Sequence, residues 1–185
     1  ERPVLENLQF ELMQGGRIFL HGKNGCGKST LIKAILQQAA QKNAISGSQS
    51  SAAASRAALP FGDSRIEIRS GTLEAASGLV ISYINQDTGF LKGSLTQFCE
   101  AQKLDKSLFF ALLRQLDLER EQFSKSMEEF SEGQKKKVLI AASLQTPAHL
   151  YIWDEPLNFI DVFSRMQIEA LILKYRPTML LVDHD

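Results

Sequence analysis

The sequence predicts an α/β fold built on a mostly parallel central sheet, and two observations carry this. Three short apolar runs, Arg17–His21, Leu150–Trp153 and Met179–Val182, are separated by segments with helical periodicity. Each run ends in turn-forming or charged residues: Gly22, Asp154-Glu155 and Asp183-His184. Strands that alternate with helices and share a polar carboxyl edge are the pattern of a parallel sheet with its site at that edge.

Each element has its own signal. Arg17-Ile-Phe-Leu-His21 reads as a buried strand entering a tight turn at Gly22. Ser29 to Gln38 follows as a helix, with Leu31, Ile32, Ile35 and Leu36 on one side. From Ala39 to Ala58 the composition shifts to Ala, Ser and Gln, which reads as a flexible low-complexity insertion. The alternative is a short Ala-rich helix around Ser51 to Leu59. Ile66 to Asn85 is expected to be β-rich: Ile66/Ile68 and Val80/Ser82/Ile84 alternate, and Gly71 and Gly78 punctuate them. Leu95 to Ser126 is expected to be helical, with a stripe of Leu108, Leu112 and Leu116 that Phe109 and Leu113 widen. Glu132 to Gln145 is a further helix, stopped before Pro147. Val162 to Tyr175 is the last, with Ile168, Leu171, Ile172 and Tyr175 on one face.

Composition narrows the class. The 185 residues are 44% hydrophobic and 23% charged, enough for one domain with a buried core. The balance of 21 basic and 21 acidic side chains excludes a generally polybasic nucleic-acid or membrane-surface binder, while leaving a local patch possible. No apolar run approaches the roughly 20 residues of a membrane span, and the N-terminus does not read as a signal peptide. Cys26 and Cys99 are too few for a disulfide framework or a four-ligand zinc site, which predicts a cytoplasmic setting.

Gly22-Lys-Asn24-Gly25-Cys26-Gly27-Lys28-Ser29 matches G-x-x-x-x-G-K-[ST] in full, between a predicted strand and a predicted helix. Glycines at this place let successive N–H groups turn toward a phosphate, and the helix N-terminus adds its positive end. Lys28 would supply a point charge to the β and γ phosphates, and the Ser29 hydroxyl would ligate Mg²⁺. Thr30 completes the candidate phosphate-binding residues. Asp154 ends an apolar strand, where its carboxylate would hold Mg²⁺; Glu155 points elsewhere and could orient an attacking water.

Phe130-Ser131-Glu132-Gly133-Gln134-Lys135-Lys136-Lys137 precedes an apolar helix. Ser131 with Gln134 forms a capping-box pattern. Gly133 in a first helical turn costs about 1 kcal/mol against alanine, and three lysines beside a positive helix end are unfavourable. Both features make sense if the helix end meets a polyphosphate; alternatively at least two lysines are a solvated face.

In their order along the chain these motifs resemble the ATP-binding cassette (ABC) ATPases: the P-loop at Gly22–Ser29, Gln86 after a strand, the Ser131–Gln134 signature, Asp154-Glu155, Asp161 in the next loop, and His184 after the last strand. Glu155-Pro-Leu-Asn-Phe-Ile-Asp161 looks like the E-P-x-N-x-x-D of the ABC-F branch, as does Ser131-Glu-Gly-Gln-Lys-Lys-Lys; the Leu157/Ile160 version looks most like its antibiotic-resistance group.

The resemblance implies a P-loop NTPase with a mostly parallel sheet, an antiparallel β portion and a small helical subdomain over 94–130. It implies a Mg²⁺-dependent ATPase in which Glu155, Gln86 and His184 are catalytic, and Ser29, Gln86 and Asp154 hold the metal. The loop residues Gly22, Asn24, Gly25, Cys26, Gly27, Lys28, Ser29 and Thr30 would bind one ATP. Ser131, Gly133 and Gln134 would close over ATP held by a second cassette, in the same chain or in a homodimer.

Glu132 stands where the family's signature usually has glycine, which would put a negative charge near the partner's γ-phosphate. The family's adenine-stacking aromatic is expected before Glu1, so residues 1–185 read as one cassette truncated at both ends. The branch implies action at the ribosome. The rival reading is the nucleotide-binding subunit of a membrane transporter, with Asp87-Thr-Gly-Phe90-Leu91 near its coupling surface. A third reading, a scaffold that binds ATP without turnover, has no use for Glu155.

Overall fold

The computed structural model of the protein describes residues 4–45 and 66–183. In chain order its elements are β1 (Arg17–His21), α1 (Lys28–Ile45), β2 (Ile81–Ile84), α2 (Leu95–Ala101), α3 (Lys106–Gln115), α4 (Glu132–Gln145), β3 (Leu150–Asp154), α5 (Val162–Tyr175) and β4 (Met179–Asp183). Two 3-10 turns, Arg120–Ser124 and Met127–Glu129, link α3 to α4. The four strands form one parallel sheet in the order β1-β4-β3-β2.

The sheet explains the apolar runs. β3 and β4 are central and buried on both faces, so they read as near-continuous hydrophobic sequence. β1 is an edge strand rather than a fully buried one: Ile18 and Leu20 turn toward α1, while Phe19 is 57% exposed. Alternate residues of the sheet face two cores. Leu150, Ile152, Leu180 and Val182 pack on Leu31, Ile32 and Ile35 of α1. Ile84, Trp153, Met179 and Leu181 join the larger core, with Val138 and Ile140 of α4, Ile168, Leu171 and Ile172 of α5, and the subdomain residues Phe109, Leu113, Leu116 and Met127. Burying each such side chain contributes about 1.5–3 kcal/mol. The Trp153 indole N–H donates to Ser143 Oγ at 2.9 Å, and Ser143 and Ser82 hydroxyls meet at 2.7 Å, so β2, β3 and α4 share a satisfied buried network.

Several expectations shift. The first helix does not stop at Gln38: α1 runs to Ile45, with Ala39 buried in it, and alanine favours that continuation. The remainder of the 39–58 segment, including the alternative helix at 51–59, lies outside the described residues. Within 66–85 only Ile81–Ile84 is strand, and the described residues contain no antiparallel strand beside the sheet. Part of that backbone is bound by α1 side chains instead. Gln37 Oε1 accepts the Ile66 N–H at 2.9 Å, Asn43 Oδ1 accepts the Gly78 N–H at 2.9 Å, and Asn43 Nδ2 donates to the Leu79 carbonyl at 3.0 Å. Those backbone groups are satisfied without a strand partner.

In α3 the buried face is Phe109, Leu113 and the following Leu116, while Leu108 is half exposed. In α5 Tyr175 is exposed and Ile168, Leu171 and Ile172 carry the packing. The subdomain helices are bounded as their sequences suggest. Ser94 and Gln97 form a capping box on α2, and Asp105 caps α3 through the Leu108 N–H at 2.7 Å.

Candidate nucleotide site

Strand register brings the polar strand ends together. His21 lies beside Asp183, Asp154 beside Val182, and Ile84 beside Trp153, so Gly22, Asp154 and Asn85-Gln86 meet at one edge of the sheet. The loop from Gly22 to Ser29 bends there from β1 into α1. Gly25 and Gly27 have φ of 78° and 102°, a region side-chain-bearing residues avoid. At Gly22 a Cβ would stand 2.7 Å from Cys26 Sγ, and at Gly27 it would stand 2.8 Å from the Leu5 side chain. Cys26 is therefore a small exposed filler of the loop. The Lys28 ammonium is drawn back across the loop, donating to the carbonyls of Gly22 and Lys23.

A cleft of about 380 Å³ opens at this edge. Asn24, Gly25, Gly27, Lys28, Ser29 and Thr30 line it from the loop, Gln86 and Glu155 from the ends of β2 and β3, and Val4 adds an apolar wall. A larger open groove of about 2650 Å³ runs along the irregular segments 4–15 and 66–79, but neither Lys28 nor the carboxylates face it. The smaller cleft is the one with the chemistry.

Asp154 is 4% exposed, and burial pushes its carboxyl above the ordinary range, while a hydrogen bond from Gln86 Nε2 at 3.4 Å opposes the shift. Glu155 leaves the strand at φ 52°, a left-handed geometry that costs about 1–2 kcal/mol in a non-glycine residue. Its N–H donates to the Val182 carbonyl at 2.9 Å, and its Oε2 accepts from Asn158 Nδ2 at 2.8 Å. Glu155 lines the cleft, whereas Asp154 lies behind Gln86 and is not among the lining residues.

The site suits a hard divalent cation. Ser29, Gln86 and Asp154 offer oxygen donors, and a buried carboxylate gains from a cation beside it. The described residues contain no group of three His, Cys, Asp or Glu that could cage a metal alone. Mg²⁺ shared between protein and phosphate oxygens fits that pattern.

The start of α4 differs from expectation. The capping box forms: Ser131 Oγ accepts the Gln134 N–H at 3.3 Å and Gln134 Oε1 accepts the Ser131 N–H at 2.9 Å. Ser131, Gly133 and Gln134 do not line the chain's own cleft. Gly133 is buried, and a Cβ there would overlap the Phe159 carbonyl, so the glycine admits the backbone of the 155–161 loop rather than lying open to a phosphate.

The three lysines are neither a solvated face nor a phosphate cluster in this structure. Lys136 and Lys137 are 3% and 6% exposed. Lys137 pairs with Asp161 at 2.9 Å and donates to the Asp117 carbonyl, and Lys136 donates to the Asn85 carbonyl. Lys135 pairs with Glu132 at 3.1 Å. Glu132 also accepts the Thr88 hydroxyl at 2.6 Å, so its charge is answered within this chain. The Lys137 ammonium, first, and the Ser164 N–H and hydroxyl hold the Asp161 carboxyl far below the usual range, although burial opposes them. Sequence reasoning missed these roles of Lys136, Lys137 and Glu132, because their partners lie elsewhere in the chain. His184 lies outside the described residues.

The fold and this edge are those of an ABC-type P-loop domain, and comparison with known proteins agrees. Residues 5–158 match the family model described as ABC transporter, and the chain belongs to that family. It is 25% identical over its whole length to the ATP-binding protein Uup of Caulobacter vibrioides, and 26% identical to the ribosome protection protein VmlR of Bacillus subtilis. Likeness to such relatives supports a cassette of the ABC-F type. The chain spans only 28% and 29% of those two proteins. It is also 26% identical to the zinc import ATP-binding protein ZnuC of Buchnera aphidicola, of which it spans 69%. An ABC transporter ATP-binding protein of Pyrococcus furiosus has the same fold, with a TM-score of 0.71 at 19% identity, covering 100% of this chain and 86% of that one. No helix among the described residues is long and apolar enough to cross a membrane.

Proposed function

We propose that this cassette binds Mg²⁺·ATP on the Gly22–Ser29 loop and hydrolyses it when a second cassette pairs with it, within a cytoplasmic ABC-F protein that acts at the ribosome. The observation that carries the nucleotide reading is the cleft itself: Lys28, Ser29, Gln86 and Glu155 come from three separate elements and face one space. Mg²⁺, when bound, neutralises phosphate charge as the γ-phosphoryl transfers. The chain's residues do the rest. Loop N–H groups and Lys28 bind and orient the phosphates. Asp154, Ser29 and Gln86 would hold the metal. Glu155, turned into the cleft by its φ, orients and polarises the attacking water.

Ser131 and Gln134, at the start of α4, would serve the partner's ATP, while Gly133 lets that helix end lie against the 155–161 loop. His184 keeps its place as a γ-phosphate contact on resemblance alone. The likeness to VmlR and the E-P-x-N-x-x-D run support the ribosome; the likeness to ZnuC supports a transporter subunit.

Sedimentation of the full-length protein decides between them. With Glu155→Gln and ATP present to favour the paired state, the protein should pellet with ribosomes and not with membranes. The opposite distribution would transfer the cassette to a transporter.

A further inference from the structure

Gln86 occupies an irregular segment between the end of β2 and α2, and both it and Asp87 are exposed. Such a segment does not fix a side chain by itself. Here its two flanks are held from one place. Lys136 Nζ donates to the Asn85 carbonyl at 3.3 Å on one side of Gln86, and the Thr88 hydroxyl donates to Glu132 Oε2 at 2.6 Å on the other. Glu132 and Lys136 are one turn apart on α4 and share a face. Thr88 and Lys136 are each 3% exposed, while the Glu132 side chain that meets Thr88 is half exposed. Gln86 itself reaches across to Asp154 at 3.4 Å.

Packing alone does not account for a lysine at this position. A buried ammonium is costly, and an apolar side chain of similar volume would be cheaper if filling space were its only task. Burial does lower the Lys136 ammonium's proton affinity, and the charges of Asp154, Glu155 and Glu132 oppose that. The lysine therefore stands in the field of both carboxylates of the site while its ammonium holds the backbone next to Gln86.

We propose that Glu132 and Lys136 are positioning residues that clamp the Gln86 segment to the first turns of α4, so that a displacement of that helix end carries Gln86 toward or away from Asp154. The inference rests on the ATPase reading above and adds its regulation: a second cassette meeting the Ser131–Gln134 end of α4 would set Gln86 in the first. Glu132, in place of the usual signature glycine, is then the residue that closes the clamp.

The test is steady-state ATP hydrolysis by the full-length protein carrying Thr88→Val, Glu132→Gly, both together, or Lys136→Met. The clamp predicts a fall in kcat of about tenfold for each single variant, the scale of a lost charge-assisted hydrogen bond. In Thr88→Val and Lys136→Met KM for ATP should stay within about twofold, because neither residue belongs to the phosphate loop or to the Ser131–Gln134 end. The Mg²⁺ concentration for half-maximal turnover should rise.

The double variant should be no slower than either single one, since both remove the same bond. Thr88→Ser and Glu132→Gln, which keep a donor and an acceptor, should recover most of the rate. Should Lys136→Met fail to fold, the Thr88–Glu132 cycle alone decides. Unchanged kcat in the single variants, or fully multiplicative losses in the double, would overturn the clamp. Glu155→Gln measured in parallel separates the two claims. If it loses turnover while the clamp variants keep theirs, the clamp falls and the ATPase reading stands. If it keeps turnover, both fall.

Discussion

Replacing Gly133 with alanine adds one methyl group where the structure has no room for it. The added carbon would overlap the Phe159 carbonyl oxygen and lie 3.2 Å from its carbon. Neither neighbour is the free end of a side chain. The oxygen belongs to the backbone of a loop anchored by Asp161 on Lys137 and by the Arg165 guanidinium on the Leu157 carbonyl. The loop must retreat by roughly an ångström, and overpacking of this kind costs about 1–3 kcal/mol. Alanine returns up to about 1 kcal/mol of helix propensity, less at a second helical position than in mid-helix. The net is a loss of about 1–2 kcal/mol, a Tm lower by about 2–8 °C in a domain of this size. The assay is thermal unfolding without nucleotide, followed by nucleotide titration of the folded variant. A variant as stable as the parent but weak in ATP would refute the packing argument and return Gly133 to the role of an open approach to phosphate.

The remaining predictions concern two charged groups. Lys28→Ala should weaken ATP binding about 10- to 100-fold, the scale of charge-assisted hydrogen bonds, while circular dichroism shows the fold retained; unchanged affinity in a folded variant would remove the loop from the site. Asp161→Asn keeps a capping acceptor for α5 but loses the ion pair with Lys137, worth about 0.5–1 kcal/mol given the exposure of the carboxylate. Because folding depresses the Asp161 carboxyl, its contribution is complete above the unfolded value of about 4 and fades as pH falls below it. The stability gap between the two proteins should therefore be present at pH 7 and shrink steadily as pH falls below about 4; a gap as wide at pH 2 as at pH 7 would deny the ion pair its role.

Much of the architecture was legible because local signals and tertiary demand agreed. Arg17–His21, a helix start within a residue of Lys28, the capping box at Ser131 and the stop before Pro147 are all encoded within a few residues. The carboxylates of Asp154 and Glu155 were legible from their place after an apolar strand, although the φ of Glu155 that aims it was not.

The misreadings share one cause: the deciding partner was far away in sequence. Nothing near Lys136 or Lys137 announces Asn85 or Asp117 as acceptors, so a lysine run beside a helix start was read for phosphate or solvent. Gly133 was read the same way, because Phe159 meets it only in the fold. Alternation at 66–68 and 80–84 promises more strand than the described residues show, and Gln37 and Asn43 of α1 hold the backbone at Ile66, Gly78 and Leu79.

The central claim, that the cleft at the end of the sheet hydrolyses ATP through Glu155, is tested most directly by Glu155→Gln in the full-length protein, with Mg²⁺·ATP affinity and turnover measured on the same preparation. The amide keeps the shape of the side chain and leaves Lys28, Ser29 and Asp154 in place. Affinity should stay within about twofold and turnover should fall by about 100-fold or more, the contribution of a positioned general base. Turnover near that of the parent, with ATP still bound, would contradict it.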